Sequence, residues 1–137
     1  MTQMKLLLVD DETDFLNTLL KRMQRRNVDV QGVGSGESAL AWLAIHATDV
    51  VILDVRMPGM DGIETLREIK NRFPLTEVIM LTGHASMEVA IEGMEMGAFD
   101  YLMKPMDMDE LLYKAEDAFK KKKIHEGKIR QMAEQLR

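Results

Sequence analysis

Val50-Val51-Ile52-Leu53-Asp54-Val55-Arg56-Met57-Pro58-Gly59 is the stretch that decides how this chain folds. Four apolar, mostly β-branched residues run into one aspartate, and a Met-Pro-Gly-Met turn follows at once. A continuous apolar run of strand length bounded by turn signals reads as a strand buried on both faces. Asp54 then stands at the strand's C-terminal end, where open α/β sheets place their ligand sites. A carboxylate there is costly unless something compensates its charge.

Working outward, the same pattern recurs on both sides. Lys5-Leu-Leu-Leu-Val9 is a strand-length apolar run ending in Asp10-Asp11-Glu12. Phe15, Leu16, Leu19, Leu20 and Met23 then fall on one helical face, with Lys21, Arg22, Arg25 and Arg26 outside. Val28 to Val33 alternates apolar and polar, as a half-exposed edge strand does. Ser35 can cap a helix that carries Leu40, Leu43 and Ala44 inward. Beyond the turn, Asp61 and Glu64 have capping-box spacing ahead of Ile63, Leu66 and Ile69. Val78-Ile-Met-Leu-Thr82 is a second buried strand. Ser86 can cap a helix with Met87, Ala90, Ile91 and Met94 on one stripe, closed by Gly97. Asp100-Tyr-Leu-Met103 is a short fifth strand ending at Lys104-Pro105, and Asp107 with Glu110 opens a last helix through Leu111, Leu112, Ala115 and Phe119. Strand followed by helix, five times, predicts a parallel sheet with helices on both faces.

Bulk composition narrows the function. A chain of 137 residues suits one domain, and 46% apolar with 30% charged residues is an ordinary globular balance. The net charge of −5 argues against non-specific nucleic-acid binding. The absence of cysteine excludes disulfides, thiolate metal sites and Cys nucleophiles. No apolar run has transmembrane length and no signal-peptide pattern opens the chain, so a cytoplasmic protein is expected. The 13 methionines read as adaptable core filling.

In a parallel α/β sheet the strand ends on one edge converge. Asp10 and Asp11 would come from the first strand, Asp54 from the third, Thr82 from the fourth and Lys104 from the fifth. Three carboxylates together repel and raise one another's pKa. A hard divalent cation relieves that, and Mg²⁺ favours a few carboxylate oxygens with waters and a phosphate oxygen. A carboxylate beside Mg²⁺ and a lysine is set up to attack a phosphoryl group, with the Thr82 hydroxyl able to donate to a transferring oxygen. Taken singly, each residue has a plainer reading. Asp10 to Glu12 reads equally as helix-capping acids and Asp54 as a turn residue.

The residues carrying this set resemble the receiver domain of bacterial two-component response regulators. The pieces are Leu-Leu-Val-Asp10-Asp11-Glu, Val-Val-Ile-Leu-Asp54-Val-Arg-Met-Pro58-Gly59-Met-Asp-Gly62, Ile-Met-Leu-Thr82-Gly83 and Gly97-Ala-Phe-Asp-Tyr101-Leu-Met-Lys104-Pro105. The resemblance implies a flavodoxin-like, doubly wound α/β fold with a five-stranded parallel sheet in the order 2-1-3-4-5. It makes Asp54 the phosphoacceptor, with Mg²⁺ bound by Asp11, Asp54 and the backbone carbonyl of Arg56, and by Asp10 through water. Lys104 and Thr82 would contact the phosphoryl group, and Thr82 with Tyr101 would form the switch. The Lys104-Pro105 bond is expected to be cis. Arg56 and His84 would modulate dephosphorylation. The face built by the helix at Ser86–Met96, the fifth strand and the last helix would report the change to a partner. The implied partners are a sensor histidine kinase or phosphotransfer protein and an unknown effector or output domain, with no direct DNA or membrane binding.

Rival functions meet specific obstacles. A Mg²⁺-dependent aspartyl-phosphate phosphatase or phosphotransferase of the haloacid-dehalogenase type needs an acid two residues after its nucleophile, and Arg56 stands there. A flavodoxin-like FMN binder needs a phosphate-cradling loop where Asp10-Asp11-Glu12 would repel phosphate. A scaffold that is never phosphorylated would have no use for a filled set of site positions. The expected division is a receiver domain over residues 1–120 and a C-terminal helical tail or linker over residues 121–137. No residues remain for an output domain, so the expectation is a stand-alone receiver or a fragment of a longer regulator. In the tail, a spacing of four and three runs through Leu111, Ala115, Ala118, Lys122, His125, Ile129, Met132 and Leu136, with Lys122 and His125 interrupting. A homodimer through the last strand, last helix and tail is the expectation it carries. The basic residues of the tail read as a solvated face.

Overall fold

A computed structural model describes residues 3–57, 59–83 and 87–137. Among the described residues ten elements alternate: β1 Lys5–Val9, α1 Thr13–Arg25, β2 Asp29–Val33, α2 Gly36–Ile45, β3 Val50–Asp54, α3 Gly62–Arg72, β4 Glu77–Thr82, α4 Met87–Glu95, β5 Asp100–Met103 and α5 Met108–Gln135. All five strands are parallel, in the order β2-β1-β3-β4-β5. Among the described residues no helix is long and apolar enough to cross a membrane.

The side-chain period of two sorts each strand's residues onto two cores. Leu6, Leu8, Ile52, Ile79 and Leu81 face α1 and α5, where Leu16, Leu19, Met23, Leu111, Ala115 and Ala118 meet them. Leu7, Val9, Val51, Leu53, Val78 and Met80 face α2, α3 and α4. Burial on both faces is why β3 and β4 run through consecutive apolar residues up to their polar ends instead of alternating, while edge strand β2 buries only Val30 completely.

The helix ends follow from local chemistry. Ser35 accepts from the Ser38 amide at 3.1 Å, and Asp61 accepts from the Glu64 amide at 2.9 Å. Asp107 caps α5 through the Asp109 amide at 3.3 Å, so the bond goes one residue short of Glu110. Helix α1 ends on Asn27, at φ 60, with the Val28 amide bonded back to the Met23 carbonyl. Gly97, at φ 105, closes α4 in the same way, through Ala98 to Gly93. Ser86 lies outside the described residues, as does Pro58.

One element differs from the sequence pattern. The stripe on α4 faces solvent: Met87 is 75%, Ile91 50% and Met94 44% exposed. The helix sits on the sheet through Gly93 instead, where an added Cβ would lie 2.2 Å from the Met80 Cε. An apolar stripe at helical spacing therefore marks an amphipathic helix here without marking its buried side. Helix α5, by contrast, meets the expectation of a C-terminal helical extension: it passes the composition shift at Lys120 without a break as one helix of 28 residues, about 42 Å long.

Candidate functional site

Asp10, Glu12, Asp54 and Lys104 meet at the C-terminal edge of the sheet. Asp54 is the last residue of β3 and is 4% exposed. Asp10 follows β1 and is also 4% exposed. One carboxylate oxygen from each of Asp10, Glu12 and Asp54 lies within 4.8 Å of the others. Lys104, immediately after β5, reaches across with its Nζ 2.7 Å from Asp10 Oδ2 and 3.4 Å from Glu12 Oε1. Its ammonium also lies 4.0 Å from the centre of the Phe15 ring, which shields one side of it. The Lys104-Pro105 peptide bond is cis, and the Lys104 amide donates to the Thr82 carbonyl at 2.9 Å.

The loop after Asp54 is folded tightly back. The Arg56 amide donates to Asp54 Oδ1 at 3.3 Å, and the Gly62 amide donates to the Val55 carbonyl at 2.9 Å. A Cβ on Gly62 would fall 2.4 Å from the Val55 Cα, so this position requires glycine. Gly59, at φ 74, turns the loop, and the Glu37 carboxylate of α2 holds it by accepting from the Met60 amide at 3.1 Å.

Three carboxylates face one ammonium, and the local balance is negative. Burial, reinforced by the Asp10 charge, pushes Asp54 up to about 6, against the opposing pull of Lys104 and the Arg56 amide. For Lys104, burial works to lower the pKa, but the bond to Asp10 and the charges of Asp54 and Glu12 outweigh it and raise it. The oxygen-only donor set and the uncompensated negative charge fit a hard divalent cation, for which Asp10, Glu12 and Asp54 are the candidate ligands.

Thr82 closes β4 and is fully buried. Tyr101, on β5, packs into the core beneath α4, and its hydroxyl is enclosed without a hydrogen-bond partner among the described residues. Asp11 is exposed and stands outside the carboxylate group. Arg56 is exposed, and His84 lies outside the described residues. Sequence reasoning missed Glu12, Phe15 and Glu37. Glu12 reads as an N-cap acid, yet at that position its side chain makes no capping bond. Phe15 reads as part of α1's apolar stripe, and nothing in Glu37's own neighbourhood in sequence points to the Met60 amide. A groove of about 530 Å³, lined by Gln3, Asn27, Phe119 and Lys120, is at the opposite end of the sheet from these carboxylates.

Comparison with known proteins agrees with this fold. The family model for the response regulator receiver domain matches residues 6–116. The regulatory protein AtoC of Escherichia coli is 39% identical over 107 residues, covering 78% of this chain and 23% of AtoC. The DNA-binding transcriptional regulator NtrC of Salmonella typhimurium is 38% identical over 110 residues, 80% of this chain and 24% of NtrC. The chain thus spans about a quarter of the length of such curated relatives. A CheY-like receiver domain protein from Methanospirillum hungatei superposes with a TM-score of 0.85 at 26% identity, over 90% of this chain and 99% of the other. A receiver domain protein from Clostridium thermocellum gives 0.83 at 35% identity, over 88% and 98%.

Proposed function

The chain belongs to the response regulator receiver domain family, and from that premise we propose that it is a phosphorylation switch with Asp54 as its phosphoacceptor. The observation that carries the proposal is a buried Asp54 at the end of β3, grouped with the Asp10 and Glu12 carboxylates, with Lys104 reaching in from β5. An Asp54 carboxylate oxygen attacks the phosphorus of a phosphohistidine on a sensor kinase or phosphotransfer protein. The P–N bond breaks, its electron pair returns to the imidazole, and an acyl phosphate forms on Asp54. Mg²⁺, when bound, supplies positive charge to the transferring oxygens. Asp10, Glu12 and Asp54 are placed to hold it, and Asp11 and the Arg56 carbonyl are the further candidates from the family resemblance. Lys104 leaves its bond to Asp10 and neutralises a phosphoryl oxygen, while the Thr82 hydroxyl donates to another.

The product adds nearly two negative charges at the sheet edge. Thr82 and Tyr101 relay that change to the face of α4, β5 and α5, where Met87, Ile91, Met94 and Met103 are exposed. A second copy of the chain, meeting that face and the tail of α5, is one reader of the switch, and an output domain or separate effector is another. Residues 1–120 act as the receiver and 121–137 as its helical connection. The protein works in the cytoplasm, has no substrate beyond its own acceptor, and Arg56 and His84 set the lifetime of the acyl phosphate.

The test is incubation with phosphoramidate or acetyl phosphate and Mg²⁺, followed by mass spectrometry. A gain of one phosphoryl group, lost in Asp54→Asn, is expected. Failure to form an adduct with any small donor or phosphorylated kinase rejects the switch, and multiple turnover on a small phosphate ester would identify a phosphatase.

A further inference from the structure

The N-terminal edge of the sheet carries a second charged cluster, far from the phosphoacceptor. Asp49 immediately precedes β3, and Glu77 is the first residue of β4. Both are buried, at 8% and 2% exposure. Asp49 Oδ2 accepts from the Lys5 amide at 2.8 Å, which ties it to β1, and its Oδ1 lies 2.9 Å from Lys122 Nζ. Glu77 lies 3.1 Å from Lys70 Nζ through Oε1 and 3.1 Å from Lys121 Nζ through Oε2. Lys70 also donates to the carbonyls of Pro74 and Thr76, so it belongs to the fold of the α3–β4 connection. Lys121 and Lys122 do not: they belong to the part of α5 that has already passed the sheet.

Two consecutive lysines thus reach back to two consecutive strands. These strands, β3 and β4, are the ones that end in Asp54 and Thr82. We infer that Asp49 and Glu77 form an ionic clamp that grips Lys122 and Lys121 and fixes the helical extension of α5 to the base of the strands carrying the site. Beyond the clamp, Ile124, Ile129, Met132 and Leu136 are exposed and lend the helix no cover of their own. An uncovered helix of that length is marginal in water, so an anchor at its first turns decides whether it stays formed and in which direction it leaves the domain. The Lys120–Lys123 run is then a structural grip: the Lys122 side chain is only 14% exposed. Whatever is attached to residues 124–135, or docks on them, is carried rigidly by β3 and β4. The inference is independent of the chemistry at Asp54.

Amide hydrogen exchange on the full chain tests it. In Lys121→Gln/Lys122→Gln, the amides of residues 121–126 are expected to exchange at least about tenfold faster, the scale of a lost hydrogen bond to a charged group. Lys121→Arg/Lys122→Arg restores the wild-type rate, and the strands keep theirs in both. Glutamine and arginine are comparable helix formers, so propensity does not explain the difference. Asp49→Asn is expected to loosen the same amides, and the lysine pair decides the matter alone if that variant does not fold. Unchanged exchange in the glutamine pair overturns the clamp. So does wild-type protection at 121–126 that grows with protein concentration, because a second copy would then be the cover.

Discussion

Strands β3 and β4 end in charged clusters at both edges of the sheet, and the two clusters have opposite balances. At the C-terminal edge, Asp10, Glu12 and Asp54 face Lys104 alone among the described residues. At the N-terminal edge, Asp49 and Glu77 face Lys70, Lys121 and Lys122, and the partly exposed Glu126 lies 3.5 Å from Lys122 as well. Burial does not distinguish them, since Asp54 is 4% and Glu77 2% exposed. What differs is counter-charge. A buried carboxylate with ample counter-charge holds elements together, even where, as at Glu77 Oε2, the contact is an ion pair without a hydrogen bond, and one with a deficit is poised to take up a cation or a new substituent. Removing a negative charge should therefore harm one edge and relieve the other.

The largest expected effect is at the base. Glu77→Gln takes the anion from Lys70 and Lys121 at a position with a 3% exposed side chain. Breaking such a buried pair costs about 3 kcal/mol, read as a shift in the urea midpoint at constant slope. A loss under about 1 kcal/mol would mean the base is no more saturated than a surface pair.

The isosteric change at the other edge has the opposite sign. In the folded protein Asp54 holds its proton up to about pH 6, whereas the unfolded carboxyl releases it near 3.8. The folded state binds more protons between these values, so its stability falls as pH rises through that window and stays reduced above it. Asp54→Asn removes the ionisation. In EDTA at pH 8 it should stabilise the fold by about 1–2 kcal/mol, with no gain at pH 4. Denaturant titrations across that range check it, and an Asn variant weaker than wild type at pH 8 would break the contrast between the edges.

A cation should relieve the same deficit from outside. At ten times its dissociation constant, Mg²⁺ is expected to stabilise the wild-type chain by about 1.4 kcal/mol. Thermal melts should show that increment reduced in Asp54→Asn and retained in Lys121→Gln, which alters only the base. Equal stabilisation of all three chains would place the cation elsewhere.

These contrasts also explain what could be read from the sequence. The apolar runs at β1, β3 and β4 have one interpretation because both faces of a central strand are buried, and with the strand–helix alternation they placed Asp10, Asp54 and Lys104 at one edge of a parallel sheet; the strand order came from the family resemblance and not from these runs. The direction of α4's stripe did not follow, because the residue that seats the helix, Gly93, has no side chain to enter a periodicity. Asp49, Glu77, Lys121 and Lys122 were invisible as a set: the pairs are 73 and 44 residues apart, and a lysine run looks the same solvated or gripping. Glu12 was hidden for a different reason. At a helix start an acid already has a sufficient local explanation, so a second role leaves no trace in the sequence.

The smallest effect separates burial from mere pairing. Arg26 at the end of α1 bonds Asp109 at the start of α5, and the two side chains are 44% and 76% exposed. On a contact map this pair is as well formed as Lys122 with Asp49. Its partners remain hydrated, however, and two long or mobile side chains must be ordered to hold it. Arg26→Ala should therefore cost less than about 0.5 kcal/mol, and that small loss should vanish in 1 M salt, where the screening length is about 3 Å. The Glu77 loss should largely survive the same salt through its pair with Lys70, whose side chain is 18% exposed, while the share carried by Lys121, 45% exposed, is screened as Arg26 is. Equal salt sensitivity of the two variants would show that the charges at the base act through solvent, and that counting ion pairs describes this molecule as well as burial does.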